Sequence, residues 1–508
     1  MSLGGLDVGT TVSRLIVFNE SGKKLATAFR EYPLISDKNK QEIDPGRLWR
    51  AVCEVCREAA SKVKKDPIEA ISVTAMGDTL ITADVDFEPA GNAILAFDTR
   101  SGEECGRLID QLGYETIFNA TGMPAHTMNT ATKIAWVIAA RDTGEKIPAR
   151  FMCTEDFVIA RLTGRPVMSW STAARTMMFD TMSKQWWPAM LDRLGLGIER
   201  LSEIRPSGSA VGKISARAAG ETGLSGRIIV ATGGHDQICS AVGSGAVGDG
   251  IVSDNTGTFE CVIVGVGAQR RKRVDTKILA DNKLALYPHG PDGLWAAFAW
   301  FNAGSIVQWC RDTMFTAEVE EAARSGKDVF DMMFSRLNEG SGGVQALPHF
   351  TGAGTPWLDP RARGVLAGLE LGTDRYDILR AVVQGIGYDL LFNIKSFEES
   401  GIDIREIRAT GGGSRSPEWV QLKADMTGRE VKVVAMTEAS ALGAAICAGA
   451  AAGRFVSIEE GAGRMVALGK TFIPDMGKHE QYRDLIGRHF ALYSAVLKCR
   501  EGWIDPER

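Results

Sequence analysis

Nowhere in its 508 residues does this chain hold an uncharged, strongly apolar run of the roughly 18 or more residues that a membrane span needs. The Ala/Gly-rich run from Ala439 to Gly453 lacks both the length and the hydrophobicity. A secretory leader pattern is also missing, since the chain passes from Met1-Ser2 straight into a strand-like run. Charge of one sign is scarce: the formal net charge is −5, which gives no bias toward a polyanion. The one dense basic cluster, Arg270-Arg271-Lys272-Arg273, reads as a solvated loop between strands rather than a nucleic-acid contact. Cysteine is sparse and odd in number, nine in all, which argues against a complete disulfide framework. Cys53 and Cys56 are spaced as a CxxC, yet no second Cys or His pair completes a zinc site, and they fall in a helix-like run. Buried thiols in a reduced, cytoplasmic protein without membrane or nucleic-acid partners are the expectation. Two phosphate-binding words are absent as well. There is no GxxxxGK[ST], which excludes a P-loop NTPase, and no GxGxxG opens the first helix as a dinucleotide fold requires.

What is present is a chain long enough for two or more domains, each with its own core. The stretch Leu6-Asp7-Val8-Gly9-Thr10-Thr11-Val12-Ser13-Arg14 lies between two short apolar runs, and a third follows from Leu25 to Tyr32. The pattern reads strand, tight turn, strand, turn, strand. Gly9 lets a ligand approach the backbone, the hydroxyls of Thr10, Thr11 and Ser13 flank it, and turn N–H groups can form an anion nest. A plain hairpin turn is the other reading. Asp7 closes the first strand, where a carboxylate could face a metal ion.

Asp44-Pro45-Gly46-Arg47 looks like a helix start, with Leu48, Val52, Val55 and Ala59 at helical spacing behind it. Strands are expected at Ile68–Thr74, Leu80–Val85 and Ile94–Phe97. Their ends carry Met76, Gly77, Asp78, Asp98 and Arg100, candidate ligand groups in an α/β sheet or, equally, turn carboxylates and surface ion pairs. Helices are expected from Thr132 and over Thr154–Thr163, and Trp186-Trp187-Pro188 is read as an aromatic cluster in a helical segment. Ile228–Ala231 reads as a strand that ends in Thr232-Gly233-Gly234-His235-Asp236-Gln237, and the glycine-rich 241–250 could join two lobes.

The opening pattern then recurs. Gly250–Asp254, the turn Asn255-Thr256-Gly257-Thr258 and Phe259–Val264 repeat strand, turn, strand at the head of the second half. This suggests an internal duplication of a phosphate-gripping device, against the alternative of two unrelated hairpins. Phe301 to Trp309 opens a helix that includes Gly304 and Gln308. Asp377–Glu398 is a long helix whose Gly385 and Gly387 cost about 1 kcal/mol each relative to Ala, so close packing is expected to need them. Ile404–Ala409, then Thr410-Gly411-Gly412-Gly413-Ser414-Arg415-Ser416-Pro417, reads strand, glycine turn, helix, a place for phosphate or nucleotide. The small-residue helix from Ala439 to Ala452 can pack close to a sheet, and 470–508 is expected to be partly helical.

Three glycine turns from separate parts of the chain, with a strand-end Asp236, are parts that phosphoryl transfer uses. In family order the motifs resemble the FGGY carbohydrate kinases of the actin, hexokinase and Hsp70 superfamily, over Gly5 to about Gly453. Asp7 to Arg14 resembles the first phosphate loop, and Met128 to Val137 the first signature, with Ala139-Ala140 where polar residues are usual. Gly234-His235-Asp236-Gln237 matches the aspartate motif, Asn255 to Thr258 the second phosphate loop, and Gly411 to Ser414 the adenosine motif; Ala381 to Ile386 begins like the second signature.

The resemblance implies an α/β chain of two RNase H-like domains, a sugar-binding 1–246 and a nucleotide-binding 247–508, with a cleft between. It implies ATP and Mg²⁺ as cofactors, Asp236 as general base and Asp7 at the metal. Thr10, Thr11, Arg14, Gly257 and Thr258, with Gly9, would grip phosphates; Gly304, Gln308, Gly411, Gly412, Gly413 and Ser416 would border the nucleotide. The acceptor would lie against Met76, Gly77, Asp78, Asp98, Arg100, Asp236 and Gln237. The Gln-Met-His-Gly word of typical xylulokinases is absent, as is the Arg-Glu pair of glycerol kinases, where Gly77-Asp78 stands. The expected acceptor is a pentulose such as xylulose, with a linear polyol such as glycerol or erythritol as the alternative. A catalytically silent sugar sensor is the alternative of another class. Many relatives of this kind are homodimers.

Overall fold

The computed structural model describes residues 2–140, 147–337 and 343–500. Its first large sheet contains β1 (Ser2–Val8), β2 (Val12–Asn19), β3 (Lys24–Glu31), β4 (Ile68–Ala75), β5 (Ala210–Lys213) and β6 (Ile229–His235). The strand order is β5-β6-β4-β1-β2-β3. β1, β2 and β3 form an antiparallel meander, and β4 and β6 run parallel to β1. Parallel strands need crossovers, and helices supply them. These are α1 (Pro45–Lys62), α2 (Thr130–Ala139), α3 (Thr154–Thr163) and the short α4 (Trp170–Arg175). α1 starts as its sequence dictates: the Asp44 carboxylate accepts from the Gly46 and Arg47 amides, and Leu48, Val52, Val55 and Ala59 turn inward. Cys53 and Cys56 are buried thiols on that face.

After α5 (Asp236–Gly243) the pattern repeats. The second sheet contains β7 (Ile251–Thr256), β8 (Phe259–Gly267), β9 (Ala285–Pro288), β10 (Leu294–Asn302), β11 (Glu406–Gly411), β12 (Val431–Val434) and β13 (Leu468–Phe472). Its order is β9-β10-β8-β7-β11-β12-β13. Here too a meander, β7-β8-β10, is flanked by strands parallel to its first member, β11 and β12. The second half carries α6 (Gly304–Met314), α7 (Arg375–Glu399), α8 (Pro417–Thr427), α9 (Ala439–Ala451) and α10 (Met476–Arg500). The two glycines of α7 are spaces for neighbours: a Cβ at Gly385 would stand 2.5 Å from the Ala346 carbonyl oxygen, and one at Gly387 2.2 Å from Met426 Sδ.

The halves interlock. α9, from the second half of the chain, lies on β1, β4 and β6 and against α5. Cβ atoms at Gly5 and Gly443 would each come within 1.8 Å of carbonyl oxygens, of Ala441 and Cys239 respectively. Leu3, Ile16, Phe18 and Ala70 share one core with Leu442, Ala445 and Ile446.

Several local expectations change. β6 runs on past the expected Ala231 through Gly233-Gly234 to His235, and the strand-end Asp236 is also the first residue of a helix. A register shift between Thr232 and Gly234 allows this. Gln185-Trp186 is a short strand and only Pro188–Leu194 is helical, because proline suits the first helical position and not its interior. The expected strands at Leu80–Val85 and Ile94–Phe97 shrink to Ile81–Ala83 and Ala93–Ile94. The basic cluster lies at a short helix, Ala268–Arg271, where Arg270 pairs with Asp249 at 3.0 Å. Among the described residues no helix is long and apolar enough to cross a membrane.

Candidate active site

Asp7, one residue before the end of β1, faces Arg14 across the β1-β2 pair. The Gly9 amide donates to the Val12 carbonyl at 2.9 Å, and the Tyr32 hydroxyl donates to the Gly9 carbonyl, so both sides of this turn are held. Thr10 is half-buried and Thr11 exposed, which leaves the tip of the loop open. Burial pushes the Asp7 carboxyl up to about 6, against the pull of Arg14.

The matching turn of the second half is built on different supports. Asn255 and Thr256 belong to β7, so only Gly257-Thr258 form the loop, closed by the Gly257 amide on the Phe259 carbonyl at 2.9 Å. The amides of Gly304 and Ser305 donate to the carbonyls of Gly257 and Thr258, each at 3.1 Å. That pins the start of α6 to the loop, and a Cβ at Gly304 would lie 2.2 Å from the Gly257 oxygen. Beneath the loop, Lys423 Nζ sits 2.7 Å from Asp254 Oδ2, 2.6 Å from Thr256 Oγ1 and 3.0 Å from Glu260 Oε1, all buried. The third turn leans on the second. Gly411 has φ +81°, and a Cβ there would meet Asn255 Oδ1 and the Thr256 carbonyl, both at 2.6 Å. Gly413 packs on the Thr256 side chain, and Ser416 caps α8 by accepting from the Trp419 amide at 3.2 Å. Gly412 and Gln308 are exposed beside them. The second and third turns, far apart in the sequence, thus share one surface.

Asp236 faces that surface from the first half. Its neighbour Gln237 accepts from Asn255 Nδ2 at 3.1 Å, a direct tie between the aspartate motif and the second loop. The Asp236 side chain is about a quarter exposed, 26%. Burial first and the Asp7 charge second raise its carboxyl to about 7, while the Gln237 amide and Arg175 oppose the rise. Mg²⁺ takes one or two carboxylates together with phosphate oxygens and water. Two raised carboxylates, Asp7 close enough for its charge to reach Asp236, in a region where no group of three or more His, Cys, Asp or Glu could cage an ion among the described residues, fit a metal that arrives with a nucleotide.

The acceptor-side residues divide. Asp78, with φ +61°, is buried and accepts from Arg175 Nε at 3.0 Å and Nη2 at 2.6 Å, and among the described residues its Oδ1 has no hydrogen-bond partner. Met76 and Gly77 are buried beside it, and Gly77 is needed, since a Cβ would stand 2.8 Å from His235 Cδ2 and 3.3 Å from Arg175 Cγ. Arg175 lines a narrow cavity with Met123, Met128, Asn129, Phe298 and Trp300, drawn from both halves. Asp98 and Arg100 bond chiefly to one another, and the charges of Asp78 and Asp98 both reach the buried Lys133. Asp98 accepts from the Gln41 amide at 2.8 Å and from Arg100, whose guanidinium also bonds Glu42 and stacks on Trp136 at 4.9 Å. Arg100 borders a separate recess with Glu42, Thr82 and Asn92. Sequence reasoning missed Arg175, Lys423, Tyr287 and Phe298, because no spacing rule links them to the motifs they touch.

Comparison with known proteins adds an independent line. Residues 2–243 match the model of the N-terminal domain of the FGGY family of carbohydrate kinases, and residues 255–452 match its C-terminal domain. The xylulose kinase of Bacillus subtilis is 27% identical over 494 residues, covering 96% of each chain. Glycerol kinase 1 of Clostridium tetani is 30% identical over 503 residues, covering 96% of this chain and 97% of its own. A solved xylulose kinase from Lactobacillus acidophilus shares the fold, with a TM-score of 0.88 at 24% identity over 98% of both chains.

Proposed function

The chain belongs to the FGGY family of carbohydrate kinases, and from that premise we propose that it transfers the γ-phosphoryl group of ATP to a hydroxyl of a small ketose, a pentulose such as xylulose. The observation that supports this reading is the bond from Asn255 Nδ2 to Gln237 Oε1, which joins the second turn to the segment that carries Asp236. In this reading residues 1–246 bind the acceptor and residues 247–508 bind the nucleotide. Gly9, Thr10, Thr11, Arg14, Gly257 and Thr258 grip the phosphates. Gly304, Gln308, Gly411, Gly412, Gly413 and Ser416 border the nucleoside.

Mg²⁺, held by Asp7 directly or through water, would neutralise charge on the transferred group. Asp236 receives the proton of the attacking hydroxyl. A carboxylate with a pKa raised to about 7 is a better base than an ordinary one, and a loose transition state asks for the proton late. Closure of the two halves would exclude water and limit hydrolysis of ATP. Asp78, oriented by Arg175, offers its Oδ1 to an acceptor hydroxyl, and Phe298 and Trp300 offer apolar faces to the carbon chain.

Relatives named for xylulose and for glycerol bracket the choice of acceptor. The second reading, a linear polyol kinase, is favoured by the relatives named glycerol kinase, one of them 30% identical. ADP release from MgATP, measured with D-xylulose, D-ribulose, glycerol and erythritol, tests both. The highest kcat/KM is expected for D-xylulose. A higher value for glycerol or erythritol selects the second reading, and release that no acceptor stimulates overturns the kinase assignment.

A further inference from the structure

The residue before the base makes a contact that phosphate and nucleotide binding do not require. His235 Nε2 lies 3.1 Å from Asp236 Oδ1, and His235 Nδ1 lies 3.2 Å from the Tyr287 hydroxyl. His235 ends β6 of the first sheet, whereas Tyr287 belongs to β9 at the edge of the second. Both are buried, Tyr287 completely. The imidazole is also walled in. Phe298 meets it edge-on at 5.9 Å and 82°, and the absent side chain of Gly77 leaves room for its other edge.

The protons on this chain of groups can be assigned. Burial and the nearby Arg175 charge keep the imidazole neutral, so it carries one N–H. An ionised Asp236 can only accept, which places that N–H on Nε2. Nδ1 is then an acceptor, and the Tyr287 O–H is the donor that reaches it. With the imidazole edge 3.1 Å from Oδ1, fewer orientations are open to the carboxylate. Arg175, which orients Asp78, lies over the same two rings, 5.9 Å from Tyr287 and 5.3 Å from Phe298.

We propose that Tyr287, acting through His235, is a positioning residue for the base Asp236, so that a side chain of the second half sets the aim of the base carried by the first. This rests on the reading of Asp236 as the base. A phosphoryl acceptor and its base need alignment to a fraction of an ångström, and a 1 Å error can cost about 100-fold in rate.

The test uses the full chain, MgATP and D-xylulose, with Tyr287→Phe, His235→Gln and the double variant. The glutamine keeps an N–H near the Nε2 position but offers Tyr287 no ring acceptor. Tyr287→Phe is expected to lower kcat about tenfold and leave KM for ATP within about twofold. In the His235→Gln background the same change is expected to add less than about twofold, because the link is already cut. ¹⁵N NMR of histidine-labelled protein, which needs no turnover, is expected to show His235 as the Nε2–H tautomer, with an Nδ1 resonance that moves in Tyr287→Phe. A Tyr287→Phe enzyme within twofold of the parent kcat, a fully additive double variant, or an Nδ1–H tautomer would each overturn the inference. Turnover that survives Asp236→Asn overturns the underlying reading instead, and the two failures are therefore distinguishable.

Discussion

The two loops at the heads of the two sheets share one backbone plan and differ in what supports it. The first carries a carboxylate, Asp7, one residue before its strand ends, and the second has an amide, Asn255, at the matching register. The first rests on a neutral hydroxyl, Tyr32, while the second rests on a buried ammonium, Lys423, between Asp254 and Glu260. Strand-end neighbours differ too. Beside the first loop β4 leads to Met76-Gly77-Asp78, which carries a carboxylate; beside the second β11 leads to Gly411-Gly412-Gly413, which offers only backbone. The repeated fold thus keeps its charge at the strand ends in the first half and beneath the loop in the second.

The comparison breaks most visibly at the base. Asp236→Asn is expected to lower turnover by about 1,000-fold or more while calorimetry finds MgADP binding largely intact, since the proposed nucleotide contacts are made by other residues. Near-parental turnover would remove the role given to Asp236. Next comes the buried ammonium. Lys423→Met strands two carboxylates, and urea unfolding is expected to show a loss of about 3–5 kcal/mol. Its counterpart under the first loop is far milder and is the smallest effect of the set, described last.

Between these lie the charge swaps. Asp236 must be ionised to accept a proton, and its carboxyl stands raised at about 7 with Asp7 and Asp78 pushing it up and Arg175 pulling it down. The kcat/KM profile is therefore expected to reach a plateau above about pH 8 and to fall about tenfold per unit well below pH 7. Asp7→Asn removes one of the two repelling carboxylates, so the acid limb is expected to move to lower pH even as the plateau drops. A limb that stays put would show that Asp7 does not reach Asp236. The reverse swap, Asn255→Asp, places a carboxylate on the nucleotide side and is expected to weaken MgATP binding about tenfold by like-charge repulsion. The smallest effect is that of Tyr32→Phe, which deletes the one hydroxyl bond to Gly9 and is expected to cost about 1 kcal/mol in the same urea titration.

The sequence made the turns legible because glycine and small hydroxyl residues between strand-like runs have few other uses. Gly9, Gly257 and Gly411 to Gly413 are found in such turns, and the repeat of strand, turn, strand announces the duplicated sheet. The supports were not legible. Lys423 reaches Asp254 and Arg175 reaches Asp78 across long stretches of chain, and pairing at that range follows from tertiary packing alone. Local bonds hide in the opposite way. Asp98 and Arg100 end a strand-like run as ligand groups do, yet their two-residue spacing lets the guanidinium fold back on the carboxylate. The exit of β6 was misjudged by a few residues for a similar reason: the bulge at Gly233 keeps the strand going until Asp236 can begin a helix.

The seat of α9 on the first sheet has a consequence for the order in which the protein is made. β1 leaves the ribosome long before α9, yet it is Ala441 of α9 that covers Gly5. Until those residues have been synthesised, Leu3, Ile16 and Phe18 lack the partners that bury them. Contacts of such long sequence separation form slowly and leave apolar surface open to aggregation in the meantime. The nascent first half is therefore a natural client for chaperones, and its folding waits on the arrival of the second.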